Sequence, residues 1–338
     1  MSQKLIQKLP RFVTTITPQR ISFAGGGTDF PDFYLRHGGA VVSATIDKFV
    51  YVTVNRHSEL FHGRYRLGYS QPEQVDNLDL IKNDIARECL RLINVDPPLS
   101  ISTNSDLPGS SGLGSSSSFA VGLLLALHSL RGEAVTAGQL AEEACHIEIE
   151  VLGKPIGRQD QYAAAFGGLN FYEFMQDGRV RVESLWNRRN DIQLLFDASI
   201  LFWTGVQRKA EDILDEQRKN IPSQTESLLV MTELARACRS VVLNSPDLLM
   251  DLGEIINKSW IYKRKFSSSV TSLMIDDLIE RASKAGAIST KIAGAGGGGF
   301  LYVLANPSDH QIVSDALFES SVVTLNYCPF GAKVLVLF

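Results

Sequence analysis

The sequence has 338 residues, of which 44% are hydrophobic and 21% charged, a composition typical of a soluble globular enzyme or binding protein. Its formal net charge of −4 argues against the broad basic field that a nucleic-acid-binding protein presents. Its four cysteines lie far apart with no C-x-x-C pair, so we expect buried thiols in a reducing compartment rather than a zinc site.

Membrane association is not predicted. The N-terminal residues lack the apolar stretch of a signal peptide, and the longest apolar run, 119–127, has about half the length of a bilayer-spanning helix. We therefore expect a cytoplasmic protein with no membrane or nucleic-acid partner, and no pattern in the sequence sets an oligomeric state.

The predicted elements begin with strands and then turn helical. Residue alternation and helical spacing predict strands over 12–24 and 38–55, the second around a turn-like Asp47-Lys48 pair, a helix over 78–93 and a strand over 99–105. A glycine- and serine-rich loop then leads into a helix over 115–130, and another helix runs from Thr136 to Leu152, with Gly153-Lys154-Pro155 as its stop.

The second half of the chain mixes the two element types. It contains predicted strands over 167–174, 180–185 and 192–205, a helical region from Arg208 to about Lys284, a second glycine cluster over 291–300, a strand over 300–305, a short helix, and strands over 322–327 and 333–338. This order predicts an α+β class. The length favours two domains, 1–195 and 196–338.

The first glycine cluster, PGSSGLGSSSS at residues 108–118, runs directly into the apolar pattern FAVGLLLAL. It is not a P-loop, because Ser115 stands where that motif requires lysine. Glycines allow backbone N–H groups to converge on one point, and the helix start supplies free amides and a positive dipole end. The cluster therefore predicts a triphosphate site, with serine hydroxyls within reach of magnesium. A flexible linker is the alternative, which the apolar helix disfavours.

The second glycine cluster, residues 294–299, formally satisfies G-x-G-x-x-G. A dinucleotide site requires a helix after these glycines, whereas the pattern FLYVLA that follows predicts a strand. We therefore exclude a dinucleotide site there.

Three segments carry a resemblance to one family. PGSSGLGSSSSFAVGLL resembles the second motif, P-x-x-x-G-L-x-S-S, of the GHMP kinases, the superfamily of galactokinase, homoserine kinase, mevalonate kinase and phosphomevalonate kinase. TPQRISFAGGGTDF resembles the first motif and KIAGAGGGGF the third, in the family's order. The resemblance implies a mixed α/β N-terminal domain, a ferredoxin-like C-terminal domain, and a small-molecule kinase that uses ATP and Mg²⁺.

The first motif indicates the substrate class within this superfamily. Galactokinases carry a Gly-Glu-His-Thr-Asp-Tyr type sequence where this chain has GGGTDF, which argues against galactose. Three segments, RISFAGGGTDFPDFY, GGAVVSATIDKFVYV and GKPIGRQDQYAAAFGGLNF, resemble bacterial D-glycero-D-manno-heptose 7-phosphate kinases, and L-fucose kinases are close relatives here. The resemblance implies transfer to the anomeric hydroxyl of a sugar phosphate, which gives the 1,7-bisphosphate for nucleotide-activated heptose synthesis.

The second motif is implied to cradle the ATP phosphates. The residues concerned are Pro108, Gly109, Ser110, Ser111, Gly112, Leu113, Gly114, Ser115, Ser116 and Ser117. Ser116, the second serine of the match, is the implied hydroxyl ligand of the metal, with Ser115 and Ser117 as alternatives. Glu148 stands at the family's interval before the catalytic aspartate and is the implied carboxylate ligand, whereas Glu150 points away from it on a helix.

Asp160 matches the family's catalytic aspartate, and phosphoryl transfer often needs a carboxylate that takes the hydroxyl proton. The alternative is an aspartate placed at a helix start for its interaction with the dipole. Arg20, from the first motif, is expected to hold Asp160 charged or to stabilise phosphate charge, with a structural salt bridge as the alternative.

Asp29 matches the family's sugar-contacting aspartate, with an Asx-type turn before Pro31 as the alternative. The other predicted substrate contacts are Gly26, Gly27, Thr28, His37, Arg158, Arg208, Gly296 and Gly297. A substrate phosphate requires a cationic pocket, for which Arg208, Lys209, Lys48 and Arg158 are the candidates. A non-catalytic binding protein of the same fold is the competing hypothesis, and the intact catalytic set argues against it.

Overall fold

The computed structural model describes residues 9–185, 189–207 and 210–338. Within these ranges the strands are β1 (Phe12–Ala24), β2 (Gly39–Arg56), β3 (Tyr65–Gly68), β4 (Glu73–Val75), β5 (Leu99–Ser105), β6 (Leu169–Phe174), β7 (Val180–Ser184), β8 (Ser199–Trp203), β9 (Ser289–Ile292), β10 (Phe300–Leu304), β11 (Ser321–Thr324) and β12 (Lys333–Leu337).

The helices are interspersed among these strands without strict alternation. They are α1 (Pro31–His37), α2 (Asp84–Ile93), α3 (Ser115–Leu130), α4 (Ala137–Cys145), α5 (Gln159–Phe166), α6 (Arg189–Asp197), α7 (Ala210–Asn220), α8 (Thr225–Asn244), α9 (Leu248–Lys263), α10 (Leu273–Lys284) and α11 (His310–Ala316). A π-helical segment, His146–Val151, continues α4. No helix in the described part of the chain is long and apolar enough to cross a membrane.

The first sheet has the strand order β12-β1-β2-β5-β3-β4, and β6 pairs with β2 and carries β7 at its other edge. The long strand β2 pairs with β1 on one side and with both β5 and β6 on the other. One face of this sheet is covered by α2, α3, α4 and α5, whose apolar side chains form one core with it. The α+β class is confirmed.

The Asp47-Lys48 pair lies inside β2 and does not end it. The register against β1 shifts here, so that Pro18 faces Phe49 while Gln19 faces Ile46, and the two residues between bulge out of the ladder. Side-chain and main-chain bonds from Asn326 hold the Asp47 carboxylate at this bulge. Turn-forming residue types here produce a bulge, which bends a strand without reversing it.

The second sheet is antiparallel, with the order β11-β8-β10-β9. α8 and α9 pack between it and the other face of the first sheet, and α10 and α11 contribute to the core on its far side. The expected strand over 192–205 is wrong in its first half, because residues up to Asp197 belong to α6. Ile192, Leu195 and Phe196 are all buried, which is the spacing of one helix face.

The proposed division at residue 195 falls inside α6, and β12 pairs with β1 in the first sheet. The two domain ranges therefore stay a prediction, and the last strand of the second range lies in the first sheet.

Helix α3 is apolar on nearly all sides because it lies against β1 and β2 in the core. Its approach to β1 is close at Gly122, whose carbonyl accepts a 2.9 Å hydrogen bond from the Thr15 hydroxyl. A Cβ at Gly122 would lie 2.6 Å from Oγ1 of Thr17. Only glycine permits this separation of helix and sheet.

We expect Gly122→Ala to lower the free energy of unfolding by about 1–2 kcal/mol, because overpacking outweighs the gain in helix propensity. Gly138→Ala, in the first turn of α4, is the matched control, since its Cβ would make only ordinary contacts of 3.9 Å or more. This control should be neutral or slightly stabilising. Urea unfolding of both variants measures the difference, and equal stabilities would contradict the close α3–β1 approach.

Candidate active site

A cavity of about 410 Å³ lies between the glycine- and serine-rich loop on one side and α7, α8 and α9 on the other. Its volume is within the range of small-molecule sites. β1, the N-terminus of α5 and β9 complete its walls. The three predicted motifs thus meet at one cavity, although they are far apart in the chain.

The first glycine cluster forms one wall of this cavity and ends at the start of α3. Gly114 is the N-cap residue and provides no side-chain cap, so the first amides of a 16-residue helix face the site. Six of the ten predicted ATP-binding residues line the cavity: Ser110, Gly112, Gly114, Ser115, Ser116 and Ser117. Pro108 and Gly109 are exposed outside it, and Ser111 and Leu113 are buried behind the loop.

The third motif supports this loop from behind. A Cβ on Gly112 would lie 2.5 Å from the Ala293 carbonyl oxygen, and one on Gly294 would lie 2.5 Å from the Gly112 Cα. A Cβ on Gly299 would likewise lie 2.5 Å from the Ser111 carbonyl oxygen. The glycines of both clusters let two backbones touch, so the second cluster positions the first.

Arg20 and Asp160 form a bidentate ion pair at the cavity wall. Nε of Arg20 donates to Oδ1 of Asp160 at 2.8 Å, and Nη2 donates to Oδ2 at 2.7 Å. Nη1 donates to the carbonyl of Gly112 at 2.7 Å, which ties the pair to the glycine loop. The Asp160 side chain keeps 24% of its surface exposed against 6% for Arg20, so the carboxylate is the partner open to a ligand.

Glu148 is fully buried in the π-helical segment and faces the same cavity. Ser116 and Ser117 donate their hydroxyls to its two carboxylate oxygens, each at 2.8 Å, and Gln161 donates to one of them at 2.7 Å. Burial raises the pKa of Glu148 in spite of these hydrogen bonds. Glu150 is exposed and bonds to His146 instead.

Asp29 lies in the cavity wall and also anchors α5. Its carboxylate accepts main-chain N–H groups from Gly27 and Gln159, both at 3.1 Å. Burial raises the pKa of Asp29 above the ordinary value, and the neighbouring Asp160 adds to this effect. A Cβ at Gly157 would lie 2.0 Å from this carboxylate, so glycine is required there.

Besides the cation Arg158, four of the predicted substrate contacts do not line the cavity. The hydroxyl of Thr28 is buried and bonds to main-chain groups beneath the first motif. His37 is exposed at the end of α1 and packs on Phe33. Gly296 and Gly297 pack against Val270, and the cavity receives Gly294 and Ala295 from that cluster instead.

Two of the predicted phosphate-binding cations, Arg158 and Lys48, also lie outside the cavity lining. Arg158 is buried behind α5 and forms an ion pair with Glu142. It stands two residues before Asp160, a spacing at which helical side chains point in different directions, so it does not face the cavity. Lys48 pairs with the aspartate beside it on the sheet at 2.8 Å. Arg208 and Lys209 lie outside the described residues.

Sequence reasoning missed several residues that the structure brings to the cavity. Lys154, Lys263, Lys291 and Trp260 all line it. Each comes from a helix, strand or turn whose pattern indicates packing alone. Lys154 stands six positions after Glu148, and Lys291 is the first residue of the third-motif segment, KIAGAGGGGF.

Comparison with known proteins agrees with this geometry. The family models for the GHMP kinase N-terminal and C-terminal domains match residues 79–168 and 245–322. A D-glycero-alpha-D-manno-heptose 7-phosphate kinase of Campylobacter jejuni is 31% identical, over 90% of this chain and 93% of that protein.

Two solved structures have the same fold. The crystal structure of a D-glycero-D-manno-heptose 1-phosphate kinase from Bacteroides thetaiotaomicron superposes with a TM-score of 0.79 at 24% identity, covering 96% of this chain and 99% of that one. A galactose complex of Lactococcus lactis galactokinase has a TM-score of 0.74 at 18% identity, covering 95% of both chains. Matching motifs, family models and a near full-length relative agree, and the chain accordingly belongs to the GHMP kinases as an ATP-dependent kinase with a hydroxyl acceptor.

Proposed function

We propose that this kinase phosphorylates the anomeric hydroxyl of D-glycero-D-manno-heptose 7-phosphate and produces the 1,7-bisphosphate. The Arg20–Asp160 pair carries the proposal, since it places a charged carboxylate beside the glycine loop inside a cavity of small-molecule size. The choice of sugar rests on the heptose 7-phosphate kinase that is 31% identical.

The chemistry follows from these positions. The acceptor hydroxyl oxygen forms a bond to the γ-phosphorus as the bond between that phosphorus and the β–γ bridging oxygen breaks, and ADP leaves. Asp160 takes the hydroxyl proton, while the two hydrogen bonds from Arg20 keep its carboxylate oriented. The amides at the start of α3 and the backbone of the glycine loop hold the ATP phosphates.

Glu148 and Ser116 fit a magnesium ion bound with the nucleotide. A carboxylate and a hydroxyl oxygen are hard ligands of the kind that Mg²⁺ takes together with substrate phosphates. Among the described residues no group of three or more acidic, histidine or cysteine side chains is placed to hold a metal ion. Mg²⁺ in kinase sites is commonly bound by one or two carboxylates together with substrate phosphates. The metal would neutralise charge that develops on the transferred group.

We expect Glu148→Gln to raise the Mg²⁺ concentration for half-maximal activity about 10-fold, because one anionic ligand is lost. Burial raises the pKa of Glu148, so the neutral amide should not lower thermal stability. Glu150→Gln, two residues away on the exposed side, is the control and should leave the Mg²⁺ dependence unchanged. A magnesium titration of initial rates measures both, and unchanged dependence in Glu148→Gln would contradict the assignment.

An acceptor screen tests the substrate. Purified protein with Mg·ATP should release ADP with heptose 7-phosphate much faster than with free heptose, galactose or L-fucose, and NMR should locate the new phosphate at the anomeric carbon. Efficient phosphorylation of L-fucose, with no turnover of the heptose phosphate, would replace the proposal with a fucose kinase. No ADP release with any acceptor would favour a non-catalytic binding protein.

A further inference from the structure

Two lysines line the cavity beside the first and third motifs. Lys263 is the last residue of α9 and is partly buried, and Lys291 is buried in β9. Their ammonium groups donate to the main-chain carbonyls of Gly294 and Ser22, respectively. One hydrogen bond each leaves the donor capacity of both ammonium groups largely unused within the described residues.

Polar atoms without partners surround these lysines. Oγ of Ser22, Oγ of Ser259 and Nε1 of Trp260 are buried, line the cavity and have no hydrogen-bond partner among the described residues. Buried polar groups in native proteins are normally hydrogen-bonded, so three unpaired groups in one cavity indicate a polar ligand.

Lys263, Ser22 and a further donor, Gln159, converge at Gly26. A Cβ built on this residue would lie 3.7 Å from Nζ of Lys263, 3.9 Å from Nε2 of Gln159 and 4.0 Å from Oγ of Ser22. One point in the cavity is thus within reach of an ammonium, an amide and a hydroxyl. All three can donate hydrogen bonds to an anionic oxygen.

The carboxylates near these lysines do not balance the positive charge of both. The groups that face Lys263 are Arg20 on β1, Asp29 in the first motif and Asp160 on α5, and Arg20 already neutralises Asp160. Burial and the nearby Arg20 lower the pKa of Lys263 to about 8.

Lys291 faces Lys263, Arg20 and, on α8, Cys238. Burial lowers the pKa of Lys291 to about 7, and the positive charges of Lys263 and Arg20 add to this effect. Burial raises the pKa of Cys238 to about 12, so its thiol supplies no negative charge. An unpaired buried ammonium is unfavourable, and an anionic ligand would remove this cost.

We propose that Lys263 and Lys291 form the subsite for a phosphate group carried by the acceptor, with Ser22, Ser259 and Trp260 as neutral donors. The inference rests on the proposed function, in which the acceptor hydroxyl lies at Asp160. It names a specificity site for the acceptor. A further cavity lysine, Lys154, is not part of this site, because it stands beside Glu148 and pairs with Asp84 and Glu211.

The first test compares phosphorylated and free heptose in Lys263→Met and Lys291→Met. In each variant the ratio of kcat/KM for heptose 7-phosphate to that for free heptose should fall about 30-fold, because a charge-assisted hydrogen bond to the phosphate is lost. Lys258→Met is the matched control, since this exposed lysine lies on the same helix and pairs with Glu254. Its ratio should equal that of the wild type.

The second test needs no variant and detects charging of the lysines. At pH 8 a phosphomonoester is already a dianion, whereas Lys291 is mostly neutral and Lys263 half neutral. Binding of heptose 7-phosphate should raise both pKa values and take up about one proton per site. Calorimetry in two buffers of different ionisation enthalpy measures this uptake, which should fall in Lys291→Met.

The outcomes separate the inference from the function on which it rests. If the wild type prefers heptose 7-phosphate but the lysine variants keep that preference, or no proton is taken up, the subsite is wrong and the kinase assignment stands. If another phosphorylated acceptor is preferred and the variants lose that preference, the subsite stands and the heptose assignment falls. Preference for an uncharged sugar overturns both.

Discussion

Replacing Asp160 with asparagine should lower kcat by about 10²-fold or more and leave the KM for ATP nearly unchanged. The amide cannot accept the hydroxyl proton, and it presents only one acceptor oxygen to the Arg20 guanidinium, which now bonds both carboxylate oxygens. Steady-state ADP release with the preferred acceptor measures both constants.

Asp276→Asn is the control for this prediction. Asp276 also lies in the first turn of a helix, α10, and also pairs with an arginine, Arg264, at 3.0 Å, but it does not line the cavity. A helix-dipole role alone would make the two variants similar in stability and in turnover. Near-normal turnover in folded Asp160→Asn protein would therefore support the dipole interpretation and exclude the proton acceptor.

Gly112→Val should raise the KM for ATP by at least about 10-fold, through displacement of the whole phosphate loop. Gly112 has φ = +83°, a region that β-branched residues avoid, and its Cβ would lie 2.5 Å from the Ala293 carbonyl oxygen. Both the strain and the clash act on the backbone, so no side-chain rotation relieves them. ATP titration of initial rates and the thermal shift produced by Mg·ATP measure the loss.

Two variants in the same loop serve as controls. A Cβ at Gly109 would meet no atom within 4 Å, so Gly109→Ala should change the KM for ATP less than about threefold. Ser110→Ala removes a hydroxyl without adding bulk and should also be mild. Small effects of equal size in all three variants would contradict a cradle made of backbone amides.

The sequence predicted the elements best where strong local signals mark their ends. α3 begins at Ser115 and ends at Leu130 as predicted, because flexible residues precede it and a long apolar run fills it. β5 likewise begins at Leu99, directly after two consecutive prolines, Pro97 and Pro98, which separate it from the preceding helical pattern. The region over 192–197 was misassigned because Leu194, Leu195 and Phe196 form a continuous apolar run. A short run of this kind occurs in buried strands and in buried helices, and its periodicity does not distinguish the two.

The site was predictable to the extent that the three motifs define it. The motif resemblance named Arg20, Asp160, Glu148 and Ser116, and the structure brings these four to one cavity; their catalytic roles stay predictions. Spacing could not show the direct Arg20–Asp160 bonds, since these residues are 140 positions apart. Its closeness in sequence to Asp160 made Arg158 one of the four candidates for the substrate phosphate, although neighbouring positions at a helix start point in different directions.

Lys263 and Lys291 could not be found from the sequence. Lys263 is an isolated lysine at a helix end, and its pattern does not distinguish it from surface lysines such as Lys258 or Lys284. Lys291 opens the third-motif segment, but the pattern there marks the glycines and gives the lysine no binding role. Their position in the cavity arises only when α9 and β9 pack against β1. The two lysines of the proposed phosphate subsite are therefore brought to the cavity by tertiary packing, whereas the sequence pattern favours other basic residues for that role.

The pairing of β12 with β1 bears on how the protein is made. Strands from opposite ends of the described chain are neighbours in the first sheet. During synthesis β1 leaves the ribosome before β12. The N–H and C=O groups on the outer edge of β1 cannot pair until residues 333–337 have been made. Until those residues are synthesised the outer edge of β1 stays unpaired, and an unpaired sheet edge is a site at which incomplete chains aggregate.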